Sequence, residues 1–252
     1  MTDNKATSTL EIDPLNPAQY LACCGLLELT SVGYPGIQAA FNHDPRQPRK
    51  AQFSLYGLTS ASVKEALESL KKAKVNVIGE NSGEAPVQIE ISGLPPFVLD
   101  WWLLPDRSKK SRFKLWAGQQ TTSKLIEDML KAEWGRLDLQ LLDFRLPMSG
   151  RFGIDPRSSW NTLDFGSSLN IQAPGPYTYP VTEMLAAVGL QGFRPSQREA
   201  GFAYRLWAQP LPLIPARAAA ATAIQAFPGS VFVFQIENRS GSYRCFTFAQ
   251  PQ

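Results

Sequence analysis

Apolar positions along the chain change their period several times, and each change marks an element. "STLEID", residues 8 to 13, alternates as a strand does. "PLNPAQYLACCGLLELTSVGYPG" then brings Tyr20, Leu21, Cys24 and Leu27 onto one face of a helix. Asn16 is placed to cap that helix, Pro17 suits its first position, and Gly33 with Pro35 ends it. Gly25 lies inside the helix, where glycine costs roughly 0.5–1 kcal/mol relative to alanine, so close packing against another element is expected to compensate.

Further along, "AQFSLYGL" reads as a strand and "SASVKEALESLKKA" as an amphipathic helix capped by Ser60 or Ser62. "APVQIEISG" and "FVLDWWLL" read as strands, the second placing Trp101 and Trp102 on opposite faces with at least one of them in the core. A helix from about Thr122 to Glu133 buries Leu125, Ile126, Met129 and Leu130. The stretch 143–180 is broken by glycine and proline and reads as a loop-rich insertion. "VTEMLAAVGLQGF", begun by Pro180, and "ARAAAATAIQAF" read as helices, and "SVFVFQIE" and "SYRCFTFA" as a terminal hairpin turning at "NRSG". No internal repeat stands out. Strands and helices in this order predict an α+β fold, a mostly antiparallel ferredoxin-like (RRM-like) sheet with helices on one face, in a single domain over residues 1–252.

Composition narrows the picture. The 252 residues are 44% hydrophobic and 19% charged, enough for one sizeable core, and a net charge of +3 is too small to define a partner unless the cations cluster. Cys23, Cys24 and Cys245 form neither a disulfide framework nor a zinc-ligand spacing, so a reducing cytoplasm is expected. The sequence predicts no signal peptide and no membrane-spanning segment, hence no membrane partner.

Enzymatic chemistry has little to stand on. His43 is the only histidine, so neither a His-based triad nor a multi-His metal site is available within one chain. Asp143, Asp155 and Asp164 are not grouped as metal ligands, and neither a P-loop nor a dinucleotide-binding turn is present, so no cofactor is expected.

Binding chemistry is richer. Arg107, Lys109, Lys110, Arg112 and Lys114 are opposed only by Asp106 and followed by Trp116, Gln119 and Gln120. Cations beside an aromatic ring suit single-stranded nucleic acid, which needs charge for its phosphates and a face for its bases. The competing reading is a solvated loop with Trp116 buried as its anchor and Gln119 capping the next helix. A second set, Arg145, Arg151 and Arg157 with Trp160, then Arg194, Arg198 and Arg205 with Phe193 and Tyr204, places arginines and aromatics in broken segments, a distribution that suits RNA.

Five blocks, "NPAQYLACCGLLEL", "LDWW", "KLWAGQQ", "RFGIDPRSSWNTLDFG" and "YPVTEMLAAVGLQGFRP", resemble in order and spacing a CRISPR-associated family of the Csb type found with subtype I-U (I-G) systems, over residues 12 to 217. The resemblance implies a RAMP-like, non-catalytic subunit of a type I antiviral effector complex, cytoplasmic, with guide RNA or a target DNA strand and other effector subunits as partners. It implies RNA contacts at Lys109, Lys110, Arg112, Lys114, Trp116, Gln119, Gln120, Arg151, Arg157 and Arg194. Two alternatives remain beside it: a metal-independent endoribonuclease for CRISPR repeat RNA using His43, or a Lys and Tyr in its place, and a scaffold contacting only proteins. The glycine-rich loop of RAMP proteins is reduced here to "FPGS", which leaves a short relative of the large effector subunit open as well.

Overall fold

A computed structural model describes residues 8–80, 82–134, 141–158, 177–221, 227–240 and 243–252. In chain order the elements are β1 (Ser8–Ile12), α1 (Pro17–Gly33), β2 (Gln38–His43), β3 (Ala51–Tyr56), α2 (Ser60–Lys71), β4 (Lys74–Val77), β5 (Val87–Glu90), β6 (Phe97–Leu99), α3 (Thr122–Lys131), β7 (Leu146–Pro147), β8 (Tyr177–Thr178), α4 (Pro180–Gly192), β9 (Ser196–Arg198), β10 (Gly201–Trp207), β11 (Leu211–Pro212), α5 (Leu213–Ala220), β12 (Gly229–Phe234), β13 (Ile236–Ser240), β14 (Tyr243–Phe246) and β15 (Gln250–Pro251). The protein is mixed α+β, its described strands forming several small antiparallel sheets.

The N-terminal unit is β1, α1 and the β2/β3 hairpin. The Asn16 side chain accepts from the amides of Ala18 and Gln19, as the sequence predicts, a cap worth about 1 kcal/mol. Strand β3 pairs antiparallel with both β1 and β2, giving the order β1-β3-β2 with β11 on the outer side of β2. That order is shared with the first three strands of a ferredoxin-like unit. β4, which would complete such a unit beside β1, pairs instead with β5 in a separate sheet, β4-β5-β6. Strand β2 escapes the period-2 pattern because Ala39, Ala40 and Phe41 are buried consecutively.

Several boundaries differ from expectation. Thr59, not Ser60 or Ser62, caps α2, its hydroxyl accepting from the Ser62 amide. Strand β6 stops at Leu99, and Trp101 and Trp102 follow it in a turn, both buried, because a turn frees adjacent side chains from pointing to opposite faces. "SVFVFQIE" divides into β12, which pairs with β10 and β15, and β13, which forms the hairpin with β14. The Ala-rich helix is described up to Ala220; its expected continuation through 222–226, the turn residue Gly241, and Trp160 and Asp164 lie outside the described residues.

At the centre, α1 crosses α4, and each places a glycine at the crossing. A β-carbon on Gly25 would overlap the Leu185 carbonyl oxygen and stand 3.0 Å from the Gly189 nitrogen; one on Gly189 would overlap the Leu21 carbonyl oxygen and stand 2.9 Å from the Gly25 nitrogen. The packing expected to compensate Gly25 is therefore this backbone approach. The arrangement is reciprocal, and it exposes a short repeat in the sequence: "LACCGL" from Leu21 and "LAAVGL" from Leu185. Both helices are buried almost all round, sandwiched by elements on every side.

Aromatic rings join the layers. Tyr20 stacks on Tyr204 at 4.4 Å, the Tyr204 hydroxyl donates to the Pro14 carbonyl, and the Trp207 indole donates to the Ala39 carbonyl at 2.7 Å, linking β10 to β2. A second cluster packs Trp101, Trp102, Trp116 and Phe152 together, with the Trp102 indole donating to the Glu84 carbonyl. No helix among the described residues is long and apolar enough to cross a membrane.

Candidate nucleic-acid interface

The basic segment is an ordered loop laid over the tryptophan cluster. Asp106 begins it by accepting from the backbone and hydroxyl of Ser108, and Arg107 takes a left-handed backbone (φ 57°) that closes the turn. The Leu104 amide donates to the Lys109 carbonyl, Lys110 bridges Leu103, and the Ser111 amide and hydroxyl donate to the carbonyls of Trp102 and Trp101. Beyond it, Phe113 packs on Phe202 and Phe246, and the Arg244 amide donates to the Leu115 carbonyl. The loop is thus held along its whole length by backbone bonds, not left to solvent.

Its cations have separate fates. Arg107 reaches Asp100 at 3.2 Å, and Arg194 reaches the other oxygen of the same carboxylate at 3.4 Å. Lys110 pairs with Glu84 at 2.7 Å. Lys109 and Arg112 are exposed and have no acidic partner among the described residues. Lys114 departs from the expected role: its side chain is only 8% exposed, it donates to the Trp116 carbonyl, and it lies 3.7 Å from Glu84. Burial holds its pKa below the ordinary lysine value, Glu84 opposing and Lys110 adding to the depression.

Trp116 is likewise no stacking platform, since its ring is wholly buried against Trp101, Trp102 and Phe152. Gln119 is exposed and is not the cap of α3; Thr121 caps that helix, accepting from the Lys124 amide, and Gln120 donates to the Ser149 carbonyl.

The loop arginines divide between surface and interior. Arg198 lines a cleft with Arg112, so the 107–112 and 194–198 segments meet at two places, once through Asp100 and once in that cleft. Arg151 donates to the Tyr243 hydroxyl at 2.7 Å and lies over its ring. Arg145 lies over the Tyr177 ring at 4.9 Å. Arg157 is structural: it forks onto Asp155, reaches Asp143 at 2.6 Å and the Leu142 carbonyl at 2.8 Å, and covers Tyr179 at 3.6 Å. Arg205, Phe193 and Tyr204 are buried, for β10 packs against β2 and α5 and Phe193 stacks on Trp207 of β10 at 5.8 Å. Trp160 lies outside the described residues.

Three contributors escape a reading of the sequence. Glu183, in the first turn of α4, is buried and accepts from the amides of Phe152 and Asp155 at 3.1 and 2.9 Å, so the "RFGID" loop hangs from it. Burial pushes its pKa up to about 7, against the pull of the Asp155 and Ile154 amides. Its only signal is a lone acid in an otherwise apolar helix; Glu28 in α1 gives the same signal and pairs with Arg217 at 2.5 Å. Asp100 and Arg244 complete the set and carry no local signature.

His43 is half-buried, with Nδ1 2.8 Å from the Ser230 hydroxyl and Nε2 without a hydrogen-bond partner among the described residues. Burial lowers its pKa, and its neighbour Asp44 is committed to Arg46 at 2.8 Å. No group of three or more His, Cys, Asp or Glu side chains among the described residues is placed to hold a metal ion. Compared with protein-family models, with curated proteins and with solved structures, the chain matches none.

Proposed function

We propose that this chain is a non-catalytic RNA-binding subunit of a type I CRISPR antiviral effector ribonucleoprotein, holding guide RNA or a target strand through the surface formed by the 107–112 loop and the 194–198 segment. The observation that carries the reading is the convergence of these two segments. They are far apart in sequence, yet they share Asp100 and line one cleft, and they place Lys109 and Arg112 in solvent without acidic partners among the described residues. Cations that fold without neutralisation on a rigid loop are the arrangement that a phosphate backbone requires.

Two further observations support it. The ordered blocks that resemble Csb-type proteins include both segments' flanks, "KLWAGQQ" and "GLQGFRP". The β1-β3-β2 order, with α1 between β1 and β2, supports a ferredoxin-like origin for the N-terminal unit, its fourth strand displaced into the β4-β5-β6 sheet. In such a complex base pairing supplies the sequence specificity and the protein holds backbone and shape.

The test is a titration of labelled single-stranded RNA at several salt concentrations, with wild type and a Lys109→Ala, Lys110→Ala, Arg112→Ala variant in parallel. Lys114 is left in place because it is buried. Wild-type binding should weaken steeply with salt, and the slope should flatten by about 0.7 for each phosphate that the variant no longer neutralises. Equal binding by the variant removes the surface assignment, and no binding by wild type at low salt removes the RNA reading.

A further inference from the structure

Arg244 is a half-buried guanidinium with no acidic partner among the described residues. Its Nη2 donates to the Lys114 carbonyl at 2.6 Å and its backbone amide to the Leu115 carbonyl at 2.8 Å, so the side chain is fixed between β14 and the end of the basic loop. It also stands close enough to Lys114 to disfavour that lysine's charge. Taking a cation partly out of water beside another cation is costly unless an anion arrives to offset it. In the interior that anion would be a carboxylate; here Arg244 lines a cleft.

The cleft is about 400 Å³ and lies between the β9–β10 turn, the β13–β14 hairpin and the basic loop; Arg112, Arg198, Glu199, Phe202, Asn238 and Arg244 are among its walls. Three arginines thus arrive from three separate segments, and Glu199 is the carboxylate among the described walls. Each segment is anchored independently: Arg112 beside Phe113, which packs on Phe202 and Phe246, Arg198 at the end of β9 paired to Gly201, and Arg244 on β14. Guanidinium groups gathered around a small concavity match the several oxygens of one phosphate, and the Arg244 group is already held in place by its bond to the Lys114 carbonyl. Asn238 adds an amide at the rim, able to meet a sugar hydroxyl or a base edge.

We infer that this cleft is a phosphate seat, with Arg112, Arg198 and Arg244 as its contacts and Glu199 as a brake on its affinity. The ligand is a phosphodiester of a single-stranded RNA; that identity rests on the function proposed above, whereas the phosphate chemistry rests on the cleft alone.

The experiment uses the full chain with two probes, a labelled single-stranded RNA and inorganic phosphate, the latter followed by the side-chain Nε–H resonance of Arg244. Arg198→Gln and Arg244→Gln should each weaken RNA binding about tenfold, and Glu199→Gln should tighten it about threefold, a gain that misfolding cannot mimic. Phosphate should shift the Arg244 resonance in wild type and compete with RNA. If RNA binds and all three variants bind it alike, the seat is overturned while the surface of the 107–112 loop stands. If wild type binds no RNA but phosphate moves the Arg244 resonance, the RNA reading fails and the seat holds for a small phosphate ligand. If neither probe registers, the seat itself is overturned.

Discussion

Gly25 and Gly189 stand against each other's backbone where α1 crosses α4, each lying beside the carbonyl of the residue four positions before the other: Leu185 for Gly25 and Leu21 for Gly189. A side chain on either would have to displace a helix backbone and not a flexible neighbour. Gly25→Ala and Gly189→Ala should therefore each cost about 3 kcal/mol or more, although alanine is the better helix former. Gly118, with open space around its β-carbon position, is the control, and Gly118→Ala should change stability by less than about 0.5 kcal/mol. Thermal unfolding of the three variants decides it, and an unchanged midpoint for Gly25→Ala would mean that the crossing is looser than this.

The crossing also shows what the sequence can and cannot disclose. Periodicity located α1, α2, α3 and α4 and the face that α3 buries, because each of those signals is local. β2 and the fate of β4 were not legible, since pairing partners are chosen by the whole sheet. The repeated "LAxxGL" becomes visible only when two helices are seen to need the same small residue. In the candidate site, the sequence named the basic loop and Arg194, which the fold brings together on Asp100. It could not separate Lys109, which faces solvent, from Lys114 five residues on, which folds inward onto Glu84 and the Trp116 carbonyl. Trp116 looked equally suited to stacking or anchoring until its three aromatic neighbours were located.

Glu183 makes stability depend on pH in an unusual direction. Folding raises its pKa from the ordinary 4.5 to about 7, with burial as the main cause. Between those values the folded chain holds a proton that the unfolded chain has released, so each step up in pH favours unfolding. The contribution amounts to roughly 3 kcal/mol in total, lost as pH rises from about 4.5 to about 7 and flat beyond. Urea midpoints for wild type should fall across that window by more than those of Glu183→Gln, which has no carboxyl to titrate. Parallel curves for the two proteins would place the titrating group elsewhere.

Arg157 should behave as a structural residue despite its place among the arginines that suit RNA. Asp155, fully buried, takes the fork of Arg157 on one side and the Asn16 amide on the other, which ties the "RFGID" loop to the start of α1. Arg157→Ala leaves that carboxylate buried without its cation and should cost about 3–5 kcal/mol. Arg157→Lys should recover only part of the loss, because an ammonium cannot reproduce the planar fork. The folded fraction of Arg157→Lys should bind RNA as wild type does. A tenfold loss of affinity at unchanged thermal midpoint would instead make Arg157 a ligand contact.

Lys109 and Lys114 offer the sharpest contrast within one loop. Lys114→Met keeps the buried stem and removes a charge that burial disfavours, while Glu84 retains Lys110 at 2.7 Å. Stability should change by no more than about 1 kcal/mol, because the ion pair removed is offset by the desolvation it required. The salt slope of RNA binding should not change, since the ammonium is turned away from solvent. Lys109→Met should do the opposite: leave the thermal midpoint unchanged, because the lysine is exposed and has no acidic partner among the described residues, and lower the salt slope by about 0.7. If Lys114→Met flattens the slope and Lys109→Met does not, the strand runs on the other side of the loop, toward Glu84 and the tryptophan cluster.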